Sequence, residues 1–165
     1  MTELKTERLL LRTLTDDDVA IVRILRKDWF DSDEDALEWI RWANDKTDKM
    51  NPHTFFVWLA QTNQLIGSVH FYAKPELDYE VELGYMITEE YRGKGYATEA
   101  VKAIIEYAFQ QAGQEYLLAL IDFDNSASRR VVEKLGFAYH GVRVVEIEGE
   151  ACEFEYFKLS RYTPC

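Results

Sequence analysis

Apolar and polar positions alternate with period two over residues 7–14. Leu9, Leu11 and Thr13 share one face, with Arg8, Leu10 and Arg12 on the other, and the pattern predicts a first strand. Thr15 then precedes Asp16, Asp17 and Asp18, an N-cap followed by first-turn acids, so a helix opens there. Ile21, Ile24 and Leu25 continue at helical spacing, and Val22 widens the stripe. A second helix opens near Ser32 or Asp33 and carries Leu37, Ile40 and Ala43, with Trp39 and Trp42 beside them. Two β-rich runs, 54–60 and 64–72, flank Thr62-Asn63 in a hairpin pattern, and a further strand covers 78–87. A helix follows from Thr98 to about Ala112 and stops at Gly113, a residue suited to a C-cap. Residues 116–123 read as a strand and 125–135 as a short helix closed by Gly136. Runs at 142–147 and 152–159 make a last hairpin around Glu148-Gly149-Glu150. The expected fold is α/β (α+β), a mixed central sheet of about seven strands with helices on both faces. No repeat or linker divides the chain, so residues 1–165 read as a single domain.

Composition narrows the function. The apolar fraction of 47% and aromatic content of 14% support an ordered core. Net charge is −11, from 19 basic and 30 acidic residues, which disfavours nonspecific nucleic-acid binding. The same charge suits a cationic substrate, and equally suits plain solubility. No run reaches the roughly 18 apolar residues of a membrane span. The opening Met1-Thr2-Glu3-Leu4-Lys5-Thr6-Glu7-Arg8 is too charged for a secretory signal, so a cytoplasmic location is the expectation. Cys152 and Cys165 lack metal-ligand spacing, so no metal site is expected. His53, His70 and His140 are scattered and read as strand or loop residues.

The chemistry concentrates at Arg92-Gly93-Lys94-Gly95-Tyr96-Ala97, between a strand and a helix. Glycines allow close backbone approach, and the opening turn of a helix offers unpaired amides to an anion. A P-loop would need Ser or Thr after the lysine, where Gly95 stands. A dinucleotide fingerprint would need glycine or alanine where Thr98 stands, and it normally opens its domain. The pyrophosphate loop of acyl-CoA transferases, Arg/Gln-x-x-Gly-x-Gly/Ala, is filled at every specified place. A second constellation joins it: Asn125-Ser126-Ala127-Ser128, then Glu133-Lys134-Leu135-Gly136-Phe137. Together these segments resemble the GNAT superfamily of acyl-CoA N-acyltransferases. The branch they resemble is the bacterial ribosomal-protein N-terminal acetyltransferases. Leu4 through Arg12, Glu82-Leu83-Gly84-Tyr85 and Thr98-Glu99-Ala100 carry the same resemblance.

The resemblance implies a GNAT fold and transfer of acetyl from acetyl-CoA to a primary amine. The leading acceptor is a protein or peptide N-terminus. A small amine (polyamine, amino acid or aminoglycoside) and a non-catalytic acyl-CoA-binding module are the alternatives, and a homodimer fits the family. The backbone of Gly93, Lys94, Gly95, Tyr96, Ala97 and Thr98 would cradle the pyrophosphate, supplemented by the Arg92 and Lys94 side chains. Met86 and Ile87 would pair with the pantetheine arm, as an added strand does, and one of their amides would serve as oxyanion donor. Asn125 would anchor the pantetheine or cap its helix. Glu82 is the candidate base; alternation places it with Glu80, Gly84 and Met86, and Gly84 opens space near the thioester. Many relatives carry Tyr seven residues after the Asn, where this chain has Val132. Ser128, at the nearby small-residue position, is the candidate acid, directly or through a water, or else a helix-packing residue; Tyr96, Tyr139 and solvent are the other candidate acids. Trp29, Phe30, Trp39 and Trp42 either border the acceptor or pack.

Overall fold

The computed structural model describes residues 2–25, 29–45 and 52–162, with only the backbone of Leu25. Its strands are β1 (Glu3–Lys5), β2 (Leu9–Arg12), β3 (His53–Leu59), β4 (Leu65–Ala73), β5 (Val81–Ile87), β6 (Tyr116–Ile121), β7 (Ala138–Ile147) and β8 (Glu150–Ser160). The helices are α1 (Val19–Leu25), α2 (Asp33–Asn44), α3 (Tyr96–Gln110) and α4 (Ser126–Lys134). All eight strands join one sheet in the order β1-β2-β3-β4-β5-β6-β8-β7. Cys152 lies on β8, and Cys165 falls outside the described residues.

The expected mixed sheet with helices is present, with eight strands in place of about seven. The strand expected over 7–14 is β2, and β1 is an additional strand before it: the chain reverses between the two, which pair antiparallel. Thr6 makes the turn, donating its N–H to the Leu9 carbonyl (3.0 Å) and accepting the Leu9 N–H on its hydroxyl (3.0 Å). The helix expected after Thr15 begins as a 3-10 turn, Asp16–Asp18. There the buried Asp18 carboxylate accepts the Thr15 N–H (2.7 Å) and two bonds from Arg12 (2.7 and 2.8 Å). Burial alone would raise the Asp18 carboxyl, but those bonds outweigh it and hold it below its ordinary value. Strand β7 starts four residues before the expected 142, because Tyr139 and its neighbours already pair with β8 across an irregular register at Gly141.

Helix α3 forms because Ala100, Val101, Ile104, Ile105 and Ala108 recur at helical spacing and are all buried. They pack on one sheet face against Phe55, Val57, Val69, Phe71, Leu83 and Ile87. Phe56 and Trp58 point to the other face and pack with Val22, Ala36 and Ile40 of α1 and α2. Truncating a fully buried residue such as Phe71 to alanine would cost about 3–5 kcal/mol.

The sheet has a seam. Strands β1 to β5 are antiparallel neighbours, as are β6, β8 and β7, but β5 and β6 run parallel. Among the described residues a single register pair, Glu82 with Leu118, joins them. Beyond it toward Ile87 the two halves part, and α3 and α4 flank the opening.

Candidate active site

The glycine loop enters α3 through two left-handed residues, Gly93 (φ +73°) and Gly95 (φ +83°), which side chains with a Cβ adopt only at a cost. The first intrahelical bond runs from the Glu99 N–H to the Gly95 carbonyl (3.1 Å). The amides of Tyr96, Ala97 and Thr98 therefore precede any helical acceptor and carry the positive end of the helix dipole. A cleft of about 580 Å³ opens at this point. Ten of the expected residues line it: Met86, Ile87, Arg92, Gly93, Gly95, Tyr96, Ala97, Thr98, Asn125 and Ser128.

Lys94 and Glu82 do not line it. The Lys94 ammonium donates backwards to the Glu90 carbonyl (3.1 Å), beside the Tyr91 ring. Arg92 reaches the cleft, but its Nε is committed to the Ile87 carbonyl (2.8 Å). The β4–β5 ladder sorts the backbone of β5. Thr88 donates to the Ile66 carbonyl (2.8 Å), and Ser68 pairs with Met86. Alternation then turns the Met86 peptide groups toward β4, and those of Tyr85 and Ile87 toward the seam. Met86 thus lines the cleft with its peptide groups engaged toward β4, while the Ile87 N–H faces the seam.

Asn125 caps α4, its Oδ1 accepting the Ser128 N–H (3.1 Å). The Tyr85 hydroxyl crosses the seam to the Ser128 carbonyl (3.3 Å). Burial raises the Tyr85 phenol despite that bond. Val132 is fully buried in the α3 core. Two further cations line the cleft, Arg130 and Lys134. Their four-residue spacing on one helix was the available signal. Of the alternative acids, Tyr139 packs on Phe157 (5.4 Å between rings) and Tyr96 lies under Arg8.

Glu82 lies on the opposite face of β5. Its carboxylate forms an ion pair with Lys74, and Glu80 forms one with Arg143 of β7. Burial alone would lower the Lys74 ammonium, but the hydrogen bond and charge of Glu82 outweigh it and hold it above its ordinary value. The space expected above Gly84 is filled: a Cβ there would sit 2.5 Å from His70 Nε2. Phe30 and Trp39 meet at a tilt of 53° (5.7 Å between rings) and pack against the α1–α2 core, whereas Trp29 and Trp42 are exposed.

A cluster missed by the sequence reading lies behind the loop. The Glu99 carboxylate accepts the Thr6 hydroxyl (2.6 Å), the Arg8 N–H (2.8 Å) and Arg8 Nε (2.7 Å). Burial alone would raise this carboxyl, but the three bonds and the Arg8 charge outweigh it and hold it below its ordinary value. Only folding brings residues 6 and 8 against residue 99. Among the described residues no group of three or more His, Cys, Asp or Glu could hold a metal.

Residues 8–138 match the acetyltransferase (GNAT) domain family. YoaA of Bacillus subtilis, an uncharacterised N-acetyltransferase, is 28% identical over 149 residues, 84% of each chain. A Vibrio cholerae structure described provisionally as a ribosomal-protein-serine acetyltransferase is 25% identical, with TM-score 0.72 over 96% of this chain and 97% of that one. Spermidine N-acetyltransferase SpeG of Vibrio cholerae, in a mutant form, shares the fold at 20% identity and TM-score 0.71, covering 94% and 95% of the two chains.

Proposed function

The chain belongs to the GNAT acetyltransferase family, and we propose that this N-acetyltransferase moves acetyl from acetyl-CoA to the amine at a protein or peptide N-terminus. The observation that carries the donor reading is the cleft itself. It joins two left-handed glycines, the free amides of the α3 N-terminus and the parted β5–β6 seam. The amides from Gly93 to Thr98 would hold the pyrophosphate, with Arg92 beside them. The pantetheine arm would run along the seam-side groups of Tyr85 and Ile87 as an added strand does, with Asn125 opposite.

Chemistry then follows from charge. The acceptor must be neutral to attack the thioester. An α-amine, with pKa about 8, loses its proton more readily than a lysine at about 10.4. Glu82 would take that proton, directly or through a water. The Ile87 N–H would donate to the developing oxyanion, and Ser128 would relay a proton from a solvent water to the departing sulfur, keeping its own hydroxyl. A protein N-terminus is supported by the resemblance of the first strand and of Glu82 through Tyr85, and by the Vibrio cholerae relative. A small cationic amine is the second reading, favoured by the two carboxylates, Glu80 and Glu82, on one face.

A panel of peptides with free N-termini, polyamines, amino acids and aminoglycosides, incubated with acetyl-CoA and read by mass spectrometry, tests the reading. Acetylation of peptide α-amines above all other classes is expected. Turnover confined to small amines would replace the acceptor, and CoA binding without turnover against any amine would leave a binding module.

A further inference from the structure

Arg8 leaves the β1–β2 turn and lies across the outer side of the glycine loop. Its Nε donates to Glu99 Oε2 (2.7 Å) and its Nη1 to the Lys94 carbonyl (3.0 Å). Its Cζ sits 4.5 Å from the centre of the Tyr96 ring. Its Nη2 lies 3.3 Å from where a Cβ on Gly95 would be. One guanidinium therefore spans three successive loop residues. Glu99 in turn is held by the Thr6 hydroxyl and the Arg8 N–H.

The Lys94 carbonyl and the Gly95 N–H belong to one rigid, planar trans peptide, so they point in opposite directions. The carbonyl is captured behind the loop by Arg8. Gly95 lines the cleft, whereas Arg8 and Lys94 do not. We propose that Arg8 is a positioning residue for donor binding: by holding the Lys94 carbonyl on the outer side, it turns the Gly95 amide into the cleft. Thr6 and Glu99 keep Arg8 in place. This rests on the reading of the loop as the pyrophosphate cradle. Glu99 balances the Arg8 charge, so the effect is one of orientation rather than attraction. A lysine cannot replace it, since one ammonium on a flexible stem does not reproduce a planar fork with separate donors to the carboxylate and the carbonyl.

The test compares two donors, acetyl-CoA and S-acetylpantetheine, which carries the same thioester without the pyrophosphate. The quantity read is the ratio of their kcat/KM values at saturating acceptor. In Arg8→Gln the ratio falls roughly tenfold, the effect of losing about one charge-assisted hydrogen bond. A general loss of folded protein lowers both donors together and leaves the ratio untouched, so an unchanged ratio overturns the inference. Should Arg8→Gln yield no folded protein, the ratio in Arg8→Lys decides in the same way. Gly95→Val separates the two levels. If its ratio is unchanged, the loop does not hold the pyrophosphate and both readings fall. If its ratio collapses while both Arg8 variants keep theirs, only the positioning role fails.

Discussion

The two faces of β5 handle charge in opposite ways. On the α3 side, the loop and helix terminus offer backbone amides, fixed by two left-handed glycines and by the N-terminus of α3. On the other face, Glu80 and Glu82 project as side chains, each already paired with a cation from another element. On the proposed function, the first face would recognise by peptide geometry, which is the same whatever the side chains. The second would recognise by side-chain chemistry, which changes with each substitution. A fixed donor and a variable acceptor fit that division.

Glu82→Gln breaks the contrast most sharply. The amide keeps the shape and removes the proton acceptor, so kcat should fall about a hundredfold or more, with the donor KM little changed. Steady-state kinetics at saturating donor measure this, and wild-type kcat in the variant would remove Glu82 from the reaction. Asn125→Ala is expected to act more weakly, and on the donor face. It removes the cap on the Ser128 N–H and should cost about 1 kcal/mol in urea unfolding. An unchanged unfolding midpoint would show that the α4 terminus finds another partner.

The smallest effect is a pH dependence. The Glu99 carboxyl lies below its ordinary value in the folded protein. Its stabilisation is therefore complete above the unfolded glutamate value, about 4.3, and fades as pH falls through the folded one. Wild type and Glu99→Gln should differ in melting temperature at pH 7 and converge toward pH 3. A gap that stays constant over that range would show that the carboxylate charge does not stabilise this junction.

The loop side of β5 was largely legible in the sequence because glycine carries a backbone requirement that spacing records. Gly93 and Gly95 had to be glycine, and ten of the expected site residues line one cleft. The other face was less legible because it is assembled by register. His70 meets Gly84 only through the β4–β5 pairing, and Arg143 reaches Glu80 from the far end of the chain. The turn at Thr6 and the strand before it were hidden for another reason: β1 is three residues long, too short for an alternating pattern to show. The direction of the Lys94 side chain was not legible because composition records a charge but not where it points; the ammonium turns back onto the Glu90 carbonyl.

The single rung between β5 and β6 has a consequence for handling the protein. Past Glu82, β5 presents strand edge in the middle of a sheet rather than at its rim, with none of the prolines, lysines or bulges that blunt exposed edges. An extended segment that reached the seam could pair with that edge. On the proposed donor reading, occupying the seam with a soluble thioester analogue during purification should keep concentrated samples dispersed, so solubility would be shared between this chain and its donor.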